Sequence, residues 1–530
     1  MPINTMETFS ISSLDLIIVL VYLVLIIWWG LKNGKSSDSQ SYFLAGRTMS
    51  WWVVGLSLFA ASISSTTLIG QSGDAYHTGL AVFNYNLTGI VVMVFFAIFL
   101  LPLYIKSGIF TIPEFLEKRF DCRSRYYFSA ICVIGNIFLD AAGALYAAAL
   151  IIKLVLPDVD LQIIILVFAI ISASYTIPGG LSSAINAELI QAIILIIGSV
   201  FLSYFCFQQG GDYFYQLFTN DDVLVKLVRP LNDTATPWLG VIVGMPVLGI
   251  YFWANNQTLV QRVLSSKSID EGRKGVLFTG FLTVITLFII AIPGVIARDL
   301  FPGLERPDMV YPNMVLQLIP VGLLGVMLAA LLSALTSTLS AILNSTSTLF
   351  TMDFYAKYDK NASSKRLVLI GKITSCVIII LAALWAPQIG QFGSLLKYYQ
   401  EMLSYIAPPI VATFLLGVFN KRVNSNGAFA GLMSGLVIAV VMLFYKIEIF
   451  GDLHFLLIVP YLLVISLIIT YLTSLCFAKP GKEKLQNTVF SWSELKEEFL
   501  KRRMEAWYKN YHYWALGLLV ISAMIWLIFS

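Results

Sequence analysis

The sequence predicts an all-α integral membrane protein with about fourteen transmembrane helices. Of its 530 residues, 58% are hydrophobic and 12% are charged, whereas a soluble domain has roughly 25% charged residues. Apolar runs long enough to cross a hydrocarbon core of about 30 Å recur along nearly the whole chain. Clusters of Ser, Thr, Gly and Pro interrupt some of these runs, which is typical of membrane proteins that enclose a polar site.

The apolar runs define the predicted crossings, and the Lys and Arg residues between them define the orientation. These cations favour cytoplasmic connections, and here they concentrate in the odd-numbered connections, such as 118–125 and 262–274. Both termini are therefore predicted outside the cell membrane. The first apolar run lacks the features of a signal peptide and is predicted to remain as a crossing. The predicted crossings are 12–31, 51–70, 80–105, 126–153, 160–177, 184–208, 238–260, 275–297, 321–352, 367–387, 400–419, 427–446, 453–477 and 512–529.

Composition and motifs exclude several classes of function. The net charge of +4 comes from cations between the crossings, so no nucleic-acid partner is expected. The five cysteines include no CxxC pair and therefore indicate neither a disulfide framework nor a metal site. The three histidines lie at or beside loops, and no GxSxG or HExxH motif is present, so no enzyme is predicted. A channel would show a repeated pore-lining ring, which is also absent.

The second crossing contains a cluster of hydroxyl side chains. Its stretch SLFAASISSTTLIG (57–70) has six Ser or Thr among fourteen residues. These side chains compete for the backbone hydrogen bonds of a helix, and irregular backbone at membrane depth survives only inside protein or beside a wet cavity. We therefore predict a break near residues 60–65 whose carbonyl groups face a site. The alternative interpretation is that the small side chains fill a tight helix–helix contact.

A second interrupted crossing begins five crossings later. Gly244, Pro246 and Gly249 interrupt the run 238–260, and the polar residues 255–257 lie near its end. Two interrupted helices in corresponding positions indicate an inverted repeat with a site at mid-membrane. We predict one repeat at 51–208 and the other at 238–419. The remaining segments are a first helix with a cytoplasmic loop at 1–50, an outer loop at 209–237, and C-terminal helices at 420–530 that include an amphipathic cytoplasmic linker at 478–511.

The ninth crossing presents a face with two hydroxyl groups. In ALTSTLSAILNST (334–346), the residues Ala334, Ser337, Thr338 and Ala341 share one side of a helix with 3.6 residues per turn. A few neutral oxygen ligands suit a monovalent cation, because a divalent cation favours several carboxylates. This face is therefore predicted to contribute to a site for a monovalent cation.

Several short motifs occur in a fixed order from about residue 40 to about residue 425. They are YFLAGR (42–47), WWVVGLS (51–57), TIPEFLEKRF (111–120), YTIPGGL (175–181), QR (261–262), KS (267–268), LNST (343–346) and FTMD (350–353). Together they resemble the sodium/solute symporter family, and within it the sodium/glucose cotransporter branch with its bacterial sugar members. The resemblance implies a leucine-transporter-type fold of two inverted five-helix repeats with flanking helices. It also implies sodium-coupled uptake of a solute by alternating access.

The resemblance places Na⁺, the coupling ion, between the broken second crossing and the hydroxyl face of the ninth crossing. The implied ligands are the carbonyl oxygens of Ala60, Ile63 and Ala334 and the hydroxyl oxygens of Ser337 and Thr338. Some family members hold a second sodium ion, and the positions that match that site here are Ser337, Ser340 and Glu188. Glu188 stands where Asp is usual, and Ala341 lacks the hydroxyl of that site.

The resemblance also implies a solute pocket, which differs from that of the sugar-transporting relatives. The matching positions and the aromatic side chains beside them are Ser62, Thr67, Tyr85, Asn86, Asp140, Phe252, Trp253, Thr283 and Gln400. Gln400 is retained, Phe252 replaces a gate Tyr, and Gly89 and Gly249 replace polar residues. The predicted solute is a sugar or a sugar-like polyol, with an inositol, an amino sugar, a carboxylate or an amino acid as alternatives.

Asp140 lies near the middle of the fourth crossing, in NIFLDAAGALY (136–146). A carboxylate at this depth is costly and usually functional. It can accept two sugar hydroxyls or pair with an amine, and the alternative is a bond to a neighbouring helix. Relatives that transport sialic acid place an Arg near this point, so Asp140 argues against an acidic solute. The nearest competing function is a proton-coupled carrier that uses Asp140 or Glu188. The expected partners are a small solute and the lipid bilayer, with the chain as a monomer or a loose oligomer.

Overall fold

The computed structural model describes residues 12–33, 39–63, 66–155, 158–304, 306–392, 395–451 and 453–530, and the regular structure within these ranges is helical. The first part of the chain forms ten α-helices, joined in places by short 3₁₀ or π turns. They are α1 (Ser13–Asn33), α2 (Ser39–Leu44), α3 (Trp51–Ser62), α4 (Gln71–Thr78), α5 (Asn84–Phe95), α6 (Leu101–Ser107), α7 (Ile112–Arg119), α8 (Cys122–Gly135), α9 (Ala142–Val155) and α10 (Leu161–Thr219).

The second part of the chain continues with fifteen further helices. They are α11 (Trp238–Val243), α12 (Met245–Ile250), α13 (Gln257–Leu264), α14 (Ile269–Thr286), α15 (Ile292–Leu300), α16 (Val310–Leu318), α17 (Leu323–Leu349), α18 (Ala356–Tyr358), α19 (Ser364–Trp385), α20 (Leu395–Phe419), α21 (Ser425–Phe450), α22 (Phe455–Leu475), α23 (Lys482–Leu485), α24 (Trp492–Arg502) and α25 (Tyr511–Ile528).

The helices confirm the predicted all-α membrane architecture. In the described part of the chain, eleven helical stretches are long and apolar enough to cross a membrane, by length and composition. Three shorter apolar helices, Ser13–Trp29, Trp51–Ser62 and Leu161–Ser174, coincide with three more of the predicted crossings. The exact number of fourteen crossings stays a prediction.

The second crossing is broken where its hydroxyl cluster lies. Helix α3 ends at Ser62, and Ile63 has the non-helical angles φ −87° and ψ 83°. The helix resumes with a π turn at Thr66–Gly70 and continues through α4 to Thr78. The predicted end at residue 70 was therefore too early, because the polar residues after it belong to a helix that packs inside the protein. Ser64 and Ser65 of the cluster lie outside the described residues.

The seventh crossing is also broken, but not at the residues that interrupt its apolar pattern. Asn256 has the extended angles φ −73° and ψ 118°, and its side chain caps α13 by accepting a hydrogen bond of 2.8 Å from the Thr258 N–H. Gly244 keeps helical angles, and a Cβ atom there would lie 2.1 Å from the Leu456 carbonyl oxygen. Pro246 lies in the first turn of α12, where a missing N–H costs little. Gly244 therefore serves close packing, and the break follows ten residues after Pro246.

Helix α10 contains the fifth and sixth predicted crossings as two arms. The arms meet at Gly180, whose φ of 62° and ψ of −154° are outside the range that other residues readily adopt. A Cβ atom at Gly180 would also lie 2.6 Å from the Tyr42 ring. The YTIPGGL motif thus supplies a corner that needs a glycine.

Helix α17 is the centre of the bundle. All but two of its 27 residues are buried, and it packs against α1, α3, α10, α13 and α19. By contrast, α21, α22 and α25 expose large apolar side chains along their length, as lipid-facing helices do. The hydroxyl face at Ser337 and Thr338 is therefore held in the interior, beside both broken crossings.

Candidate functional site

A cavity of about 170 Å³ lies between the two broken crossings. This volume corresponds to on the order of ten water-sized spheres, which is room for a small solute. Ile63 at the first break and Asn256 at the second break both line the cavity. The structure brings together in its wall all nine residues predicted for the solute pocket. These are Ser62, Thr67, Tyr85, Asn86, Asp140, Phe252, Trp253, Thr283 and Gln400.

One wall of the cavity is a chain of hydrogen bonds from three helices. The Gln71 Nε2 donates to Asn86 Oδ1 at 2.7 Å, and the Asn86 Nδ2 donates to Thr286 Oγ1 at 2.7 Å. The Thr286 hydroxyl in turn donates to the Thr283 carbonyl at 2.6 Å. Since each amide already has a partner, the chain holds these polar groups in fixed orientations toward the cavity.

Aromatic side chains form another part of the wall. The Phe252 and Trp253 rings pack edge to face with centroids 5.1 Å apart, and Tyr85 also lines the cavity. A Cβ atom at Gly89 would lie 2.8 Å from Trp253 Nε1. The absence of a side chain at Gly89 therefore gives the Trp253 indole its place, and an aromatic face is a suitable platform for the C–H groups of a sugar ring.

Asp140 contributes a carboxylate to the cavity wall. The Tyr399 hydroxyl lies beside this carboxylate and is oriented to interact with it. Asn136, in the amide orientation that satisfies both of its ends, donates to Asp140 Oδ2 at 3.3 Å. Over the described residues, no Lys, Arg or His lies within ion-pair distance of Asp140. An ionised carboxylate can accept about four hydrogen bonds, so Asp140 keeps acceptor capacity for a group that enters the cavity.

Replacing Tyr399 by Phe keeps the ring and removes the hydroxyl that orients Asp140. We expect the KM for solute to rise by about three- to tenfold, which corresponds to the typical net contribution of one hydrogen bond, because Tyr399 acts on the solute only through Asp140. The sodium dependence of uptake should stay unchanged. Tyr405→Phe is the matched control, because Tyr405 is on the same helix and its hydroxyl bonds to Glu401 instead. Equal effects of the two substitutions on KM would remove Tyr399 from the site.

Two of the five residues predicted to bind sodium line one edge of this cavity. Ile63 and Thr338 line it, and the Thr338 hydroxyl donates to the Ala334 carbonyl at 2.9 Å. Ala60 is in the last turn of α3, where carbonyl groups lack partners inside the helix. Within the described ranges, the buried Ser337 hydroxyl has no hydrogen-bond partner. A buried hydroxyl without a partner is costly, and a cation bound by neutral oxygens would satisfy it.

Glu188, a predicted ligand of the second sodium ion, has other contacts. The Arg262 Nη2 donates to Glu188 Oε1 at 2.5 Å, and the Ser57 hydroxyl donates to the same carboxylate. Both Glu188 and Arg262 are fully buried, so this is an ion pair inside the protein. Ser340 accepts a hydrogen bond of 2.9 Å from Thr176. Because a guanidinium already neutralises Glu188, these contacts argue against a second sodium site there.

Five further polar residues line the cavity that the sequence did not assign to it. Thr286 is one helical turn after Thr283, and Gln71 is one turn after Thr67, so helix periodicity was a usable signal for both. Tyr399 lies just before the predicted start of its crossing, beside Gln400. The complete set is Gln71, Asn256, Thr258, Thr286 and Tyr399.

Comparisons with known proteins agree with this geometry. The family model "Sodium:solute symporter family" matches residues 42–435. The sheep sodium/glucose cotransporter 1 is 33% identical over 474 residues, which are 81% of this chain and 71% of that protein. The human sodium/myo-inositol cotransporter is 32% identical over 548 residues, or 91% of this chain and 76% of that protein. The substrate-bound outward-open structure of a Na⁺-coupled sialic acid symporter matches 89% of this chain and 99% of its own, with a TM-score of 0.79 and 23% identity.

Proposed function

The chain belongs to the sodium:solute symporter family, and we propose that the solute it imports with sodium is a neutral sugar or a sugar-like polyol. It is a sodium-coupled multi-pass membrane transporter and not an enzyme. The observation that carries the choice of solute is the cavity wall. There the aromatic side chains, the hydrogen-bonded amides of Gln71 and Asn86, and the Asp140 carboxylate face the same small space. Among the described residues, this carboxylate has no cationic partner.

The polar groups of the cavity suit a ligand with many hydroxyl groups. Amides both donate and accept, and Asp140 only accepts, so a ligand that donates several hydrogen bonds fits better than one that only accepts. A carboxylate solute would bring a second negative charge next to the half-buried Asp140, which is unfavourable in the low dielectric constant of the protein interior. Relatives named for glucose and myo-inositol transport support the same class of ligand.

We place the sodium ion at the first break, held by the carbonyl oxygens of Ala60, Ile63 and Ala334 and the hydroxyls of Ser337 and Thr338. Ile63 and Thr338 also line the solute cavity. A cation bound there would fix one wall of that cavity and so favour solute binding, and by reciprocity solute would favour sodium. In this proposal, the two repeats at 51–208 and 238–419 move to expose the cavity to each side in turn, with both termini outside.

The test is uptake by the full chain in proteoliposomes. We expect a sodium gradient to drive accumulation of a radiolabelled neutral hexose or myo-inositol, and replacement of Na⁺ by choline at constant pH to abolish it. Sugar acids and amino acids would serve as competitors. Preferred uptake of a sugar acid would contradict the proposed solute class. Uptake that persists in choline and follows a proton gradient would contradict sodium coupling.

Replacing Asp140 by Asn keeps the shape and removes the charge. We expect the KM for a neutral polyol to rise about tenfold, because a charged acceptor binds hydroxyls more strongly than a neutral one. The sodium concentration for half-maximal uptake should change less than twofold, and a carboxylate analogue should compete better than before. Unchanged KM and unchanged competition would make Asp140 a structural residue only.

A further inference from the structure

Helix α24, in the connection between α22 and α25, has its charged side turned inward and its apolar side turned outward. At 100° per residue, one face of α24 carries Glu494, Glu498 and Arg502. The opposite face carries the mostly apolar and basic residues Trp492, Lys496, Phe499, Leu500 and Arg503. A surface helix of a soluble protein has the reverse arrangement.

Ion pairs attach the charged face of α24 to the ends of the transmembrane helices, with the Glu494 pair exposed to solvent. Glu494 pairs with Lys106 at 2.7 Å, and Arg502 pairs with Asp270 at 2.6 Å. Glu498 pairs with Arg273, whose side chain is 3% exposed. These contacts attach α24 to α6 and α14 and fix which side of the helix faces away from the protein.

The outward face is apolar and basic. Phe499 and Leu500 are 52% and 57% exposed, and Trp492 is 68% exposed although it packs edge-on against Phe490. Lys496 and Arg503 are exposed between them. The pattern continues beyond the helix to the next crossing through exposed Met504, Trp507, Tyr508 and Lys509.

Chain connectivity places this face at a membrane surface. Helix α22 ends at Leu475 and α25 begins at Tyr511, and both are long and apolar enough to cross the bilayer. The segment between them therefore starts and ends at the same membrane surface. Trp and Tyr near the start of a crossing favour the headgroup region, and a helix with an apolar face and Lys or Arg beside it binds anionic lipid surfaces.

We propose that the outward face of α24 binds the headgroups of anionic phospholipids, with Lys496 and Arg503 contacting the phosphates and Phe499 and Leu500 inserted beside the acyl chains. The inference is independent of the identity of the solute. It assigns to this connection a lipid-binding role in addition to its ion pairs with α6 and α14.

The test compares the melting temperature of the full chain in a neutral detergent with added phosphatidylglycerol or phosphatidylcholine. We expect phosphatidylglycerol to raise it by roughly 3 °C, because a ligand of the folded state stabilises that state, and phosphatidylcholine to have a much smaller effect. The variant Lys496→Gln/Arg503→Gln should lose this response while melting like the unchanged protein without lipid. The control Lys360→Gln/Lys365→Gln removes the same charge at another exposed site and should keep the response.

Two results would overturn the proposal. One is an equal response of the unchanged protein to both lipids, or no response to either, which would leave this face to another partner. The other is a response to phosphatidylglycerol that survives in Lys496→Gln/Arg503→Gln.

Discussion

Replacing Ser337 or Thr338 by Ala should raise the sodium concentration for half-maximal uptake by at least tenfold, which corresponds to about 1.4 kcal/mol of lost binding free energy. The Ser337 hydroxyl is buried and has no hydrogen-bond partner among the described residues. The Thr338 hydroxyl lies 2.9 Å from the Ala334 carbonyl oxygen and faces the cavity. If these oxygens hold the ion, the maximal uptake rate at saturating sodium should change much less than the sodium dependence.

The control for this prediction is Ser347→Ala. Ser347 is also buried on α17, but its hydroxyl donates to the Asn344 carbonyl at 3.2 Å and does not face the cavity. Sodium-dependent uptake, measured in proteoliposomes at equal protein content, should be normal in this variant. Normal sodium dependence in both Ser337→Ala and Thr338→Ala would refute the proposed ligand set.

Replacing Glu188 by Gln should destabilise the folded protein by about 3–5 kcal/mol, because Arg262 would be left as a buried charge without a counterion. The expected result is a melting temperature in detergent that falls by about 3–5 °C for a chain of this length. Glu494→Gln removes the same charge from an ion pair with exposed partners, and such pairs contribute less than about 1 kcal/mol. The difference in melting temperature between the two variants therefore compares the contribution of a buried ion pair with that of an exposed one.

A double variant distinguishes this structural role of Glu188 from a role in ion binding. Glu188→Met/Arg262→Leu replaces the pair by apolar side chains of similar size, which is often neutral or stabilising for buried pairs. We expect it to recover most of the lost stability and to keep the sodium dependence of uptake. Recovered stability with fewer sodium ions per solute would restore Glu188 as a sodium ligand.

The sequence predicted the membrane architecture and the first break from physical chemistry that acts locally. Six hydroxyl residues within fourteen are hard to place in a lipid-exposed helix, and α3 ends among them. The second break was misplaced because Gly244 and Pro246 are residue types that occur both at helix breaks and inside packed helices. Glycine permits both irregular backbone and close packing, and proline is tolerated in a first helical turn. Only the packing of Leu456 against Gly244, which is visible in the structure, shows that this glycine serves close packing and not a break.

The cavity could be predicted in outline because the family resemblance named positions on separate crossings, and all nine line it. That this cavity binds the solute stays a prediction. The ion pair between Glu188 and Arg262 could not be predicted from the sequence, because the two residues are 74 positions apart and no local pattern links them. Tyr399 was missed for a different reason. It precedes the predicted start of a crossing, where errors of a few residues in a boundary decide whether a side chain is inside or outside.

The interruptions at Ile63 and Asn256 have a mechanical consequence. Tilting one half of a continuous helix against the other would require breaking several backbone hydrogen bonds in a medium that offers no replacement. At these two residues the backbone angles already leave the helical range, and a helix ends or begins there. We therefore expect each to serve as a pivot at the wall of the cavity, with α4 tilting relative to α3, or α12 relative to α13, while every helical segment stays intact.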